Sequence, residues 1–148
     1  MKIYLDNCCF NRPYDDQSIL SIYLETQAKL KIQENVRDHK INLIWSSMLD
    51  FENSENPDQA IQQEISTWRN RASIIIHQNK NIIEKAEQIY SYGISKKDAL
   101  HISYAIEANC DFFITADKGI LKKNHHVKEL TIVSLIEYIN ILEDNNEI

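Results

Sequence analysis

The chain is predicted to be α/β, a three-layer sandwich in which helices flank a central, mainly parallel sheet. Three observations carry that expectation. Short β-prone runs alternate with stretches of helical periodicity along the whole chain, the order that builds parallel sheets covered on both faces. Only two glycines (Gly93, Gly119) and two prolines (Pro13, Pro57) are present, too few for the many tight turns of an all-β sandwich or barrel. A length of 148 residues with 43% hydrophobic content suits one domain over 1–148 with a substantial core.

Each element follows from local pattern. Lys2 to Leu5 is a β-prone run that ends at Asp6, and the polar stretch Asn7 to Gln17, with Pro13 inside it, is predicted as a loop. From Ser18, Ile19, Ile22, Tyr23, Thr26, Leu30 and Val36 recur mostly at three- and four-residue steps, predicting an amphipathic helix that ends near Asp38. Ile41 to Trp45 reads as a second strand. Ser46 or Ser47 caps a short helix, Met48 to Ser54, which Asn56-Pro57 closes, because the residue before proline is pushed out of the helical region. Pro57 is expected to open a helix running toward Arg71. Ile74-Ile75-Ile76 is β-branched and fits either an extended segment or buried helix. Asn81 with Glu84 resembles a capping pair for a helix through Tyr90, and Gly93 sits where a left-handed helix end is wanted. Ser95-Lys96-Lys97-Asp98 has the S-x-x-D form of a helix start, followed by a small, apolar face. Asp111 to Thr115 reads as a strand opening into the turn Ala116 to Gly119, Leu130 to Val133 as a strand, and Leu135 to Leu142 as a final helix.

The net charge of −6 and pI near 5.3 argue against broad, non-specific nucleic-acid binding. A carboxylate cluster that holds a cation softens this, since the ion reverses part of the local field. The first residues are too short for a signal-peptide core, and no apolar run reaches the roughly 18 residues of a membrane span. Cys8 and Cys9 are neighbours that scarcely bridge each other, Cys110 is the third thiol, and no zinc-type spacing occurs. A soluble, cytoplasmic protein without membrane association is expected.

Two acids fall at the carboxyl ends of predicted strands, Asp6 and Asp117, and in a parallel sheet those ends share one rim. Asp98 lies in the first turn of a helix, and Glu52 on the short helix after the second strand, so right-handed crossovers bring all four toward that rim. Clustered carboxylates repel unless a cation compensates, and a hard, oxygen-rich site selects magnesium or manganese over zinc. Such a site activates water against a phosphodiester. Thr115 and Asn7 are placed to support it. Taken singly, each acid has an ordinary role as cap, turn former or solvated helix residue. Their joint order points to the metal site. His101, three residues after Asp98, is either a satisfied interior side chain or a group that touches metal, phosphate or a proton.

The segments Ile3-Tyr4-Leu5-Asp6-Asn7, the acid near residue 50 after a Ser-Ser helix start, Lys97-Asp98-Ala99-Leu100-His101-Ile102-Ser103-Tyr104-Ala105 and Phe113-Ile114-Thr115-Ala116-Asp117 resemble the PIN-domain family, which includes VapC-type toxins. The resemblance spans nearly the whole chain, and the Asp98 helix followed by the apolar strand and T-x-D is its most specific part. It implies a PIN-like fold and RNA cleavage with Mg2+ or Mn2+ held by Asp6, Glu52, Asp98 and Asp117. A homodimer, and an antitoxin as protein partner, are implied as well. Arg12, Lys97 and Lys118 are the candidates to meet RNA phosphates. Cys8 to Pro13 departs from the apolar stretch common in toxins, marking a divergent branch. Asp50 and Glu52 compete for the second position, about 200° apart on one helix; Glu52 stands at the usual offset from Ser47.

The competing class is a catalytically inactive PIN-like module that binds RNA or protein. A haloacid-dehalogenase-type phosphotransferase needs an acid where Cys8 stands, and two glycines cannot supply a P-loop or Rossmann phosphate loop.

Overall fold

The computed structural model describes residues 1–146, and one parallel sheet organises them. The elements in chain order are β1 (Lys2–Leu5), α1 (Asn7–Asn11), a 3-10 turn (Arg12–Tyr14), α2 (Leu20–Arg37), β2 (Asn42–Ser46), α3 (Ser47–Ser54), α4 (Gln59–Arg69) and β3 (Ile74–Ile76). There follow α5 (Lys80–Tyr90), α6 (Lys96–Glu107), β4 (Phe112–Ile114), α7 (Lys118–Lys122), a second 3-10 turn (Asn124–His126), β5 (Thr131–Val133) and α8 (Leu135–Asp144). The five strands lie in the order β3-β2-β1-β4-β5, and every pairing is parallel. Ile74 to Ile76 is therefore extended.

Strand periodicity assigns the layers, because successive side chains leave a strand on opposite faces. Tyr4 stacks on its register partner Phe113, centroids 5.4 Å apart, and meets His101 of α6 edge-on. Phe112, on the other face, meets Tyr138 of α8, and Trp45 meets Phe10 of α1. Helix α5 packs along α6, and α2 along α8, so two helical layers enclose the sheet. Ile3, Tyr4 and Leu5 are all fully buried, as a central parallel strand covered on both faces requires.

Three local expectations are corrected. Asn7 to Asn11 is helical where a loop is expected, because the Asp6 carboxylate accepts from Asn7 N at 2.8 Å and the next turn buries Cys9 and Phe10. Helix α4 starts from an Asp58 cap rather than from Pro57, and α5 from Asn79 rather than Asn81, the Asn79 side chain accepting from Ile82 N at 2.9 Å. Of the two serines expected as caps for α3, Ser46 is the one used.

A glycine-poor chain must end helices without glycine. Gly93 does take a left-handed φ of +89° beyond α5, but His39 after α2 and Asn109 after α6 occupy the same region at +61° and +57°. Asparagine tolerates this conformation and histidine less so. His39→Gly is expected to raise stability by about 0.5–1 kcal/mol, allowing for glycine's larger entropy loss. A denaturant melt checks this, and an unchanged or lower midpoint refutes it.

Candidate functional site

The chain lays β1, β2 and β3 outward in one direction and then returns to place β4 and β5 on the other side of β1. Connections leaving β1 and β4 therefore diverge, which opens a crevice at the carboxyl ends of these two strands. Asp6 follows β1 directly, and Thr115, Ala116 and Asp117 follow β4.

Asp6 stays extended, its amide donating to Ile114 O at 2.9 Å, so the sheet itself carries its side chain to the rim. Its carboxylate accepts from Asn7 N and from Thr115 Oγ1, each at 2.8 Å, and from Cys8 Sγ at 3.5 Å. Thr115 is fully buried, and its hydroxyl also accepts from Asp117 N at 3.0 Å. One hydroxyl thus ties the first acid to the backbone of the last. Asp117 is exposed and caps α7, its Oδ1 accepting from Gly119 N at 2.7 Å and Ile120 N at 3.2 Å.

Asp98 is the electrostatic link. Burial pushes its carboxyl above the ordinary value, against a hydrogen bond with Ser95, and the negative charges of Asp6 and Asp117 push it further. Three aspartates from three separate segments therefore sense one another at the rim. The S-x-x-D start is realised, with Asp98 N donating to Ser95 Oγ at 3.2 Å.

Glu52 is placed differently, paired with Nε2 of the buried His101. His101 Nδ1 lies 2.6 Å from Tyr4 Oη, which lies 2.6 Å from Ser46 Oγ, and Ser46 Oγ accepts from Leu49 N at 3.1 Å. One direction of donation satisfies every group. Ser46 Oγ takes the Leu49 proton and gives its own to Tyr4, Tyr4 gives its proton to Nδ1, and Nε2–H donates to Glu52. A proton on Nδ1 would reverse the chain and leave the serine proton without an acceptor. Burial raises the Tyr4 hydroxyl well above its ordinary value, so it remains a donor.

Asp50 is committed elsewhere, accepting from Trp45 Nε1 at 2.8 Å and pairing with Arg69 Nε at 3.2 Å. Arg12 too is engaged, with Glu25 at 2.8 Å and Asp15 at 3.0 Å, which corrects the expectation that it is open to phosphate. Lys97 and Lys118 are exposed and, among the described residues, make no ion pair. Lys97 borders a cleft of about 490 Å³ whose walls include Asn7, Asn11, Glu52 and Asn56. The Asn7 side chain is itself braced by Asn11 Nδ2 at 3.4 Å.

The donor set is right in kind for a hard divalent cation, being carboxylate oxygen throughout. Among the described residues, however, no three acid, histidine or cysteine side chains stand together as a ready cage for one ion. The expected four-acid cluster resolves into an aspartate trio that interacts through its charges and a glutamate held by histidine. Tyr4, Ser46 and Cys8 were not foreseen at the site. Tyr4 carried a signal: a tyrosine central in a buried strand must find a partner for its hydroxyl. Cys8 accepts from Ala116 N at 3.4 Å besides its contact with Asp6.

No protein-family profile and no curated protein matches the sequence. Solved structures do match, and at these identities the likeness is one of fold. The VapBC2 complex from Rickettsia felis bound to a promoter DNA fragment contains a chain of 16% identity with a TM-score of 0.56, aligned over 90% of this chain and 98% of that one. DNA-bound VapBC from Salmonella typhimurium gives 13%, 0.59, 91% and 98%. VapBC-1 from nontypeable Haemophilus influenzae gives 16%, 0.57, 92% and 99%. The chain has the PIN-like three-layer fold of these matched chains.

Proposed function

We propose that this protein is a metal-dependent endoribonuclease of the VapC toxin kind, acting at the rim formed by Asp6, Asp98 and Asp117. The observation that carries the reading is the Thr115 hydroxyl tying Asp6 to the Asp117 backbone at the crevice of the sheet, close enough to Asp98 for both charges to add to burial in raising its carboxyl. Mutually repelling acids at the switch point of a parallel sheet are what a cation would compensate. Asp6, Asp98 and Asp117 would hold magnesium or manganese, with Glu52 alongside. The ion would supply Lewis acidity for activating water and neutralising phosphate charge. The chain's own contribution is orientation. Thr115 holds Asp6 and the Asp117 backbone in one register, His101 holds Glu52 at the cleft, and Lys97 and Lys118 offer free ammonium groups to an RNA backbone.

The matched structures are toxin–antitoxin complexes, and an antitoxin or a second copy is the partner we assign here. An exposed apolar stretch at the start of α2, with Leu20 69% exposed beside Ile19, Tyr23 and Leu24, supports a protein partner. Among the described residues, no helix is long and apolar enough to cross a membrane.

Defined RNA substrates test the reading. Cleavage is expected with magnesium or manganese, none with excess chelator, and none for Asp6→Asn of unchanged fold. Undiminished cleavage in chelator would falsify the mechanism. RNA binding without turnover in either metal would favour the inactive binding module.

A further inference from the structure

Away from the acidic rim, a second pocket lies between α2, α4 and the Arg12–Tyr14 turn. It has a volume of about 90 Å³, and its walls include Pro13, Leu30, Ile65 and Trp68. Two side chains one helical turn apart on α2, Lys29 and Gln33, line it as well. Both are buried, with exposures of 5% and 3%. Among the described residues, Lys29 forms no ion pair and no hydrogen bond, and its ammonium faces only the Phe10 ring, 5.9 Å from the centroid. Gln33 Nε2 is buried and, among the described residues, has no hydrogen-bond partner. A buried ammonium and a buried amide N–H without hydrogen-bond acceptors each carry a desolvation cost, which for Lys29 the Phe10 ring and the Glu64 charge offset only in part. Burial lowers the Lys29 pKa to about 8, with the Glu64 charge acting against the shift.

The missing complement is therefore an acceptor, and size and charge specify its kind. Lys29 and Gln33 bring N–H donors to this lining and Pro13, Leu30, Ile65 and Trp68 bring apolar surface, so an acceptor carried on a short hydrocarbon stem suits both. One ammonium matches one negative charge. Glu64 lines the same pocket, and its charge repels a phosphate dianion more than a singly charged ligand. We infer that this pocket binds a small monocarboxylate, whose oxygens accept from Lys29 Nζ and Gln33 Nε2 while its alkyl part packs on Trp68 and Ile65. The site lies apart from the acidic rim and does not depend on the nuclease reading.

Titration of the full chain with sodium acetate and sodium propionate at constant ionic strength, followed by 1H–15N NMR, tests this. Saturable shifts at the Trp68 indole and the α2 and α4 amides are expected, with chloride and phosphate giving markedly weaker responses. Lys29→Met, which keeps an apolar stem, is expected to abolish saturation. Gln33→Leu should weaken affinity about tenfold, and Glu64→Gln, compared at about pH 6 where Lys29 keeps its proton in both proteins, should tighten it. The spectra of the free variants report their folding, and Gln33→Leu and Glu64→Gln decide the matter if Lys29→Met does not fold. The inference is overturned by any of three results: no saturable carboxylate response, an equal response in folded Lys29→Met, or phosphate binding as tightly as acetate. Weaker binding in Glu64→Gln also refutes it, since that would make Glu64 part of the recognition rather than a repelling charge.

Discussion

Asp98→Asn is expected to lower metal-dependent RNA cleavage by on the order of a hundredfold or more while making the metal-free protein more stable at neutral pH. Both effects have one cause. The carboxyl is half-buried and faces the charges of Asp6 and Asp117, so its ionised form is disfavoured in the folded state. The folded protein therefore binds this proton more tightly than the unfolded chain does. The contribution to stability is present in full below the unfolded pKa and is lost as pH rises through the raised folded value. Asparagine keeps the shape and removes the charge, so the variant should melt higher than wild type near neutrality. The two should converge toward acid, where wild-type Asp98 is protonated as well. Adding magnesium or manganese should stabilise wild type more than the variant. Parallel wild-type and variant stability curves across the acid range would sink the electrostatic account. A fully active Asp98→Asn would sink the catalytic one.

The second large effect is expected in the chain from Ser46 to Glu52. His101→Ala removes a buried group from between Tyr4 and Glu52, leaving the Tyr4 proton without its acceptor and Glu52 without its partner, and should cost about 3 kcal/mol or more in denaturant unfolding. Tyr4→Phe keeps the stack on Phe113 and removes only the hydroxyl, leaving Ser46 Oγ without its acceptor and His101 Nδ1 without its donor, at a cost of about 1–3 kcal/mol. Because the two residues share one hydrogen bond, Tyr4→Phe with His101→Leu should cost less than the summed single effects by about 1 kcal/mol. Strict additivity would show that the chain is not a cooperative unit. Nitrogen NMR of wild type provides a separate check: Nδ1 of His101 should accept and Nε2 should carry the proton, and a proton on Nδ1 would reverse the proposed order of donation.

Much of the architecture was legible because it rests on short-range rules. Alternating strand and helix signals implied the parallel sheet, and Ser95 with Asp98 implied the start of α6. Caps were harder to place where two registers competed. Asn79 and Asn81 both offer an oxygen at a plausible distance from a following amide, and the burial of Ile82, Ala86 and Ile89 against the core accompanies the Asn79 start. The loop expected after Asp6 became a helix for a similar reason. Cys9 and Phe10 carry no helical period long enough to read, yet both are needed in the core beside Trp45.

The candidate site divides along the same line. The residues Asp6, Asp98 and Asp117 could be nominated from sequence because strand ends and helix starts are local features, and a parallel sheet sends its strand ends to one rim. Sequence alone left Asp50 and Glu52 as rivals and offered Arg12 as a free cation. Those questions turn on partners distant in the chain: Arg69 and Trp45 take Asp50, His101 takes Glu52, and Glu25 and Asp15 take Arg12. Nor does local pattern reveal that Tyr4 and Ser46 complete a hydrogen-bonded chain, or that Lys29 and Gln33 are buried without acceptors among the described residues. Periodicity determined which residues lie on strands and helices and which acids stand at their ends. Only packing decided which polar groups lose water, and a group that loses water must find a partner in the fold or stand ready to accept one.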